Sequence, residues 1–135
     1  MKVKAKLLEN VSSVADNTRK HTVTLDLPPA KGGDDKGPTA LELALMSLAD
    51  CAVTIYADVA KKSKVALKNL EAEVEAEQIS GSPVIKNVSL MIAVESDARK
   101  GMLEALWRRT EANCPVVAIF KEAIPIKATL KAVGK

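Results

Sequence analysis

The stretch TALELALMSLADCAVTIYADVAKKSK, from Thr39 to Lys64, decides how this chain folds. Leu41, Leu45, Leu48, Ala52, Ile55 and Val59 recur at helical spacing, and Leu43, Met46, Val53 and Ala60 widen the apolar surface around the cylinder. Thr39 follows Pro38 and stands three residues before Glu42, the Thr-x-x-Glu spacing of a capping box. Lys61, Lys62 and Lys64 suit the negative end of the helix dipole. A buried helix of about six turns is expected. Asp50 and Asp58 interrupt its apolar run from Leu43 to Ala60 and would be costly in a bilayer, so the reading is a core helix rather than a membrane span.

Upstream of the helix, residues Lys2 to Leu7 alternate lysines with Val3, Ala5 and Leu7, the period-2 signature of a half-buried strand. His21 to Leu27 repeats the pattern, with Val23, Leu25 and Leu27 inward and Thr22, Thr24 and Asp26 outward. These two strands are expected to pair as a hairpin. Between them and the helix, Pro28 to Pro38 holds three prolines and three glycines and is read as a loop.

Downstream, Leu70, Ala72, Val74 and Ala76 alternate with Glu71, Glu73, Glu75 and Glu77, a one-sided strand with an acidic outer face. Gly81-Ser82-Pro83 marks a turn, and Val88, Leu90, Ile92 and Val94 continue as the antiparallel partner. A second helix is expected from Ser96-Asp97 to Ala112-Asn113. Asn113 would then cap a short third helix holding Cys114 in its first turn and Pro115 where a missing N–H costs nothing. Ile124, Ile126, Ala128 and Leu130 suggest a last strand, with Pro125 placing it at an edge. The whole reads as one α+β domain spanning residues 1–135.

Composition narrows the function. With 47% hydrophobic and 27% charged residues, the chain has enough apolar surface for a core and no sign of disorder. Aromatic residues are only Tyr56, Trp107 and Phe120, and the densest basic cluster is Lys61-Lys62-Ser63-Lys64, too sparse for a nucleic-acid footprint despite a net charge of +3. The amino terminus shows no export signal, so a cytoplasmic location is expected, without nucleic-acid or membrane partners. In a reducing compartment a cysteine pair is more often reactive than structural.

Cys51 falls mid-helix and Cys114 opens a short helix, two different backbone settings for the same side chain. A peroxide-reducing protein needs one thiolate to attack a peroxide oxygen and a second thiol to resolve the sulfenic acid as a disulfide. It also needs a cation beside the first sulfur, for which Arg19, Arg99, Arg108 and Arg109 are the arginine candidates. His21 is the sole histidine and no close ligand spacing surrounds it, so no metal is expected. Gly32, Gly33 and Gly37 form no phosphate-binding or dinucleotide pattern, so no cofactor is expected either.

The run Gly37-Pro38-Thr39-Ala40-Leu41-Glu42 through Ser47-Leu48-Ala49-Asp50-Cys51, followed later by Asn113-Cys114-Pro115-Val116, resembles the OsmC/Ohr family of osmotically inducible and organic hydroperoxide resistance proteins. The resemblance implies an intertwined homodimer in which antiparallel sheets wrap long central Cys-bearing helices. It implies that Cys51 is the peroxidatic thiol, Cys114 the resolving thiol, and Glu42 the carboxylate orienting an activating arginine, for which Arg19 is the upstream candidate. Its implied reaction is reduction of organic hydroperoxides, with recycling by an external dithiol reductant.

The chain departs from the family pattern at Ala40, Val117 and Asp50. The carboxylate beside Cys51 bears on thiol reactivity. Glu42 and Cys51 stand nine positions apart, on opposite faces of a straight helix, which makes Glu42 a helix cap or a group acting across a dimer interface. The alternative function is therefore a small-ligand-binding or redox-sensing dimer of the same fold, without efficient peroxidase turnover.

Overall fold

Three short strands open the chain: β1 (Lys4–Leu7), β2 (Ser13–Asp16) and β3 (Thr22–Leu25), followed by the long helix α1 (Ala40–Lys62). A two-stranded hairpin, β4 (Asn69–Gln78) and β5 (Ile85–Glu95), precedes α2 (Lys100–Asn113) and α3 (Pro115–Lys121). The structure, a computed structural model, describes residues 1–134. The architecture is α+β with antiparallel pairing, as the sequence pattern predicts. Packing divides the chain into two compact units, Met1–Asp50 with Ala72–Met91 and Cys51–Glu71 with Ile92–Lys135.

In the first unit, β1 pairs with β2 and β2 with β3, both antiparallel. This corrects the expected direct hairpin between the first and third strands. The intervening strand was missed because Ser13-Val14-Ala15-Asp16 is four residues long and too short to show a period. Val3 and Leu7, expected to face inward, are 70% and 64% exposed in the single chain.

Asp26 reverses a second expectation. Read as an outward position, it is buried, and its carboxylate accepts the backbone N–H groups of Leu27 at 2.8 Å, Asp34 at 3.2 Å and Lys36 at 3.1 Å. The loop therefore closes around a carboxylate in place of a hydrophobic side chain. A Cβ on Gly33 would stand 1.9 Å from the carbonyl oxygen of Leu27, so only glycine fits where the loop folds back. Asn10 Nδ2 to the Gly32 carbonyl at 2.8 Å and Lys36 Nζ to Glu9 Oε1 at 2.5 Å tie the loop to the β1–β2 turn. The Asp26 N–H to the Pro38 carbonyl at 3.2 Å delivers the chain to the start of α1.

The second unit is built on Tyr56, Val59 and Ala60 of α1 and Leu106 of α2, all buried, with Ile55, Val65, Leu67, Leu70, Ile92, Val94, Leu103 and Trp107 packed around them. Helix α1 is long and apolar enough to cross a membrane, and Ile55, Tyr56, Val59 and Ala60 in its carboxyl-terminal half pack inside this unit. Two expectations fail here. The segment 123–134 forms no strand: it pairs with none of the strands among the described residues, and Ile126 and Leu130 are 88% and 87% exposed. Asn113 does not cap α3. Its amide donates to the Arg109 carbonyl at 2.7 Å, and Cys114 itself holds the N-cap position.

Candidate active site

The sequence places Cys51 where helix formation is assured on both sides. The N-terminus of α1 is closed reciprocally: Thr39 N–H donates to Glu42 Oε1 at 2.9 Å, and Glu42 N–H donates to Thr39 Oγ1 at 3.1 Å. Three turns on, Cys51 is buried beside Leu48 and Ala52 of the same helix. Its carbonyl accepts the hydroxyl of Thr54 at 3.4 Å. Neither cysteine is in a disulfide.

Cys114 owes its position to the residue after it. Proline disfavours helical geometry in the residue before it, so Pro115 forces Cys114 into an extended conformation, φ −82° and ψ 109°, and α2 ends at Asn113. The proline then starts α3, where its missing N–H is harmless. The result is an elbow with the thiol inside it, only 3% exposed, followed by buried Val117. Cys51 and Cys114 both belong to the second unit.

Arg19 and Glu42 belong to the first. Arg19 sits on the exposed β2–β3 turn, where the Asn17 side-chain carbonyl accepts the backbone N–H groups of Arg19, Lys20 and His21 at 3.1, 3.3 and 3.2 Å. That Asx-type clamp, together with Asp16 Oδ1 accepting Thr18 N–H at 2.8 Å, fixes the turn and leaves the arginine side chain exposed. His21 is engaged by Asn17 through Nδ1 at 2.9 Å. The backbone N–H and hydroxyl of Thr39, aided by the charge of Lys31, hold the Glu42 carboxyl below the usual glutamate range. Among the described residues no ion pair joins Glu42 to Arg19.

A cavity of about 480 Å³ opens in the first unit, lined by Val11, Leu25, Leu27 and Leu43 with Ser13, Ser47 and Asp26 as its polar groups. Among the described residues no three His, Cys, Asp or Glu side chains converge as a metal-holding group. Sequence reasoning missed two polar side chains that organise the fold. Asp26 was hidden by its place in an alternating run, although an aspartate just before Leu27-Pro28-Pro29 is a signal for loop capping. Tyr56 was passed over inside an apolar stretch, and its hydroxyl donates to the Leu103 carbonyl at 2.9 Å.

The sequence profile of the OsmC-like protein family matches residues 33–129. No curated protein matches the chain by sequence. Among solved structures, the fold is similar to an OsmC-like protein from Mycoplasma pneumoniae, at 19% identity and TM-score 0.77, covering 89% of this chain and 86% of that one. It is also similar to the organic hydroperoxide resistance protein OsmC from Legionella pneumophila, at 19% identity and TM-score 0.59, covering 89% and 88%. An OsmC-like hydroperoxide resistance protein from Jannaschia resembles it at 20% identity and TM-score 0.58, covering 95% and 89%. At these identities the likeness is one of fold.

Proposed function

The chain belongs to the OsmC-like family, and on that premise we propose that it is a thiol peroxidase that reduces organic hydroperoxides in defence against oxidative stress. The reading is carried by one observation: both cysteines are buried and fall within one compact unit, one on α1 and one in the elbow between α2 and α3. The names of relatives, some of them organic hydroperoxide resistance proteins, support the same chemistry.

In the proposed cycle the Cys51 thiolate attacks one oxygen of the hydroperoxide. An S–O bond forms as the O–O bond breaks, and the departing alkoxide takes up a proton to leave as the alcohol. The Cys114 thiol then displaces the sulfenic hydroxyl, which leaves as water while the S–S bond forms. An external dithiol reduces that disulfide by exchange and is itself oxidised. Arg19 is proposed to favour the Cys51 thiolate by its fixed charge, with Glu42 orienting it. A reducing, cytoplasmic setting would keep the resting thiols ready.

The working species is proposed to be a homodimer. The single chain exposes 10436 Å², about half as much again as the roughly 6,800 Å² of a folded monomer of this mass. Met46, Met91, Ile119 and Ile126 are among the large apolar side chains left exposed, and dimer formation would cover such a surface.

The test is addition of cumene hydroperoxide to the reduced protein. Loss of two thiols per chain and an intramolecular Cys51–Cys114 disulfide, seen by mass spectrometry, are expected. Cys51→Ser should consume nothing, and Cys114→Ser should stop at the sulfenic acid. Turnover retained in Cys51→Ser would remove the assigned nucleophile. Wild-type protein inert to hydroperoxide would favour the ligand-binding or redox-sensing alternative. Light scattering at micromolar concentration reports the dimer.

A further inference from the structure

We propose that the Tyr56 hydroxyl is a positioning group for disulfide formation, setting the helix that carries Cys51 against the helix that leads into Cys114. This rests on the thiol chemistry proposed above. Tyr56 is fully buried, and its hydroxyl donates to the backbone carbonyl of Leu103 on α2 at 2.9 Å. Around it lie Val59, Ala60 and Leu106, with Ile55, Leu103 and Trp107 half-buried against them.

A phenylalanine would fill this space equally well, so the hydroxyl contributes something other than volume. Aliphatic contacts are non-directional and permit one helix to slip against another at small cost. A hydrogen bond has a preferred length and angle and resists that slip. A second side-chain bond between these regions, Arg109 Nη1 to Ser63 Oγ at 2.8 Å, is exposed to competing water. Tyr56 therefore supplies a buried directional link between α1 and α2.

Its effect should fall on one step. Attack on the hydroperoxide engages the Cys51 sulfur, whereas resolution must bring sulfurs from two different elements to a bond length of about 2 Å. Tyr56 follows Cys51 by five residues, or about 7.5 Å along the helix axis. Slip at the tyrosine is thus transmitted to the sulfur through a rigid rod. Burial also raises the pKa of the phenol, so the group remains a donor at neutral pH.

The experiment compares wild type with Tyr56→Phe in the full chain. Single-turnover loss of cumene hydroperoxide should be unchanged, while disulfide formation slows roughly fivefold, the scale of one net hydrogen bond. Under excess hydroperoxide the variant should accumulate more Cys51 sulfinic acid. Leu106→Val, which loosens the same cluster but keeps the hydroxyl, should lower stability without changing that partition. Tyr56→Leu, also lacking the hydroxyl, repeats the measurement if Tyr56→Phe folds poorly. Wild-type disulfide kinetics in the hydroxyl-lacking variant would overturn the proposal. Closure of the disulfide by diamide separates the two readings: wild type should still close about fivefold faster than Tyr56→Phe even if hydroperoxide itself proves not to be a substrate. Equal rates with diamide would sink the positional role alone.

Discussion

Thr39 and Glu42 cap one another across the first turn of α1, each accepting the other's backbone N–H through its side chain. Glu42 is thereby committed to the helix terminus, whatever else it does. Glutamine satisfies the same geometry. Glu42→Gln should therefore leave thermal unfolding of the protein near wild type. If the carboxylate charge also orients Arg19, hydroperoxide turnover in that variant should fall roughly tenfold, the scale of one charge-assisted hydrogen bond. Unchanged turnover would reduce Glu42 to its capping role. Thr39→Ala, by contrast, should cost about 1 kcal/mol in urea unfolding.

Asp26 makes stability depend on pH in a defined direction. Burial works to raise its pKa, but the backbone N–H groups of Lys36, Leu27 and Asp34 and the charge of Lys36 outweigh it and hold the carboxyl below the usual aspartate range. A lowered folded-state pKa means the contribution is fully present above the unfolded value of about 3.9 and is lost as pH falls through the lower folded value. Asp26→Asn should therefore be less stable than wild type at pH 7 and pH 5, with the difference shrinking near pH 3. Urea midpoints at the three values check this. A gap independent of pH would show that the charge is not what closes the loop.

Two glycines should respond oppositely to the same change. Gly33→Ala places a methyl 1.9 Å from the Leu27 carbonyl oxygen and must distort the loop backbone, so a clear drop in melting temperature is expected. At Gly101, in the first turn of α2, nothing lies within 4 Å of the added methyl. Gly101→Ala should stabilise by about 0.5–1 kcal/mol, read by thermal unfolding.

Leu106 is 1% exposed at the centre of the second unit's cluster. Leu106→Ala should cost about 2–5 kcal/mol, depending on how far Tyr56 and Val59 relax into the space. Denaturant unfolding measures it. A loss under 1 kcal/mol would mean that the cluster adds little to stability.

How much of this could be read from residues alone follows a physical line. The helix α1, the β4–β5 hairpin and α2 were legible because each repeats its period over ten residues or more. Strand β2 was not, since four residues define no period. Asp26 was misplaced because alternation assigns faces without knowing that a loop will fold over the outer one. The Cys114 elbow was half legible: Pro115 announced the break, but the break falls on the cysteine rather than on Asn113. The strand expected at Ile124 to Leu130 has the right pattern, yet a pattern alone supplies no neighbour to pair with. For the candidate site, Cys51, Cys114, Arg19 and Glu42 were all nominated from sequence. The Tyr56–Leu103 link was not, because contacts between helices lie beyond any local period.

The carboxyl-terminal segment carries Lys127 and Lys131 on exposed backbone outside any helix or strand. Trypsin requires such a stretch to enter its cleft, so these two peptide bonds are open to cutting. Should a second copy of the chain shelter the segment, clipping would slow as the protein is concentrated, and the rate of trimming would serve as a direct gauge of association.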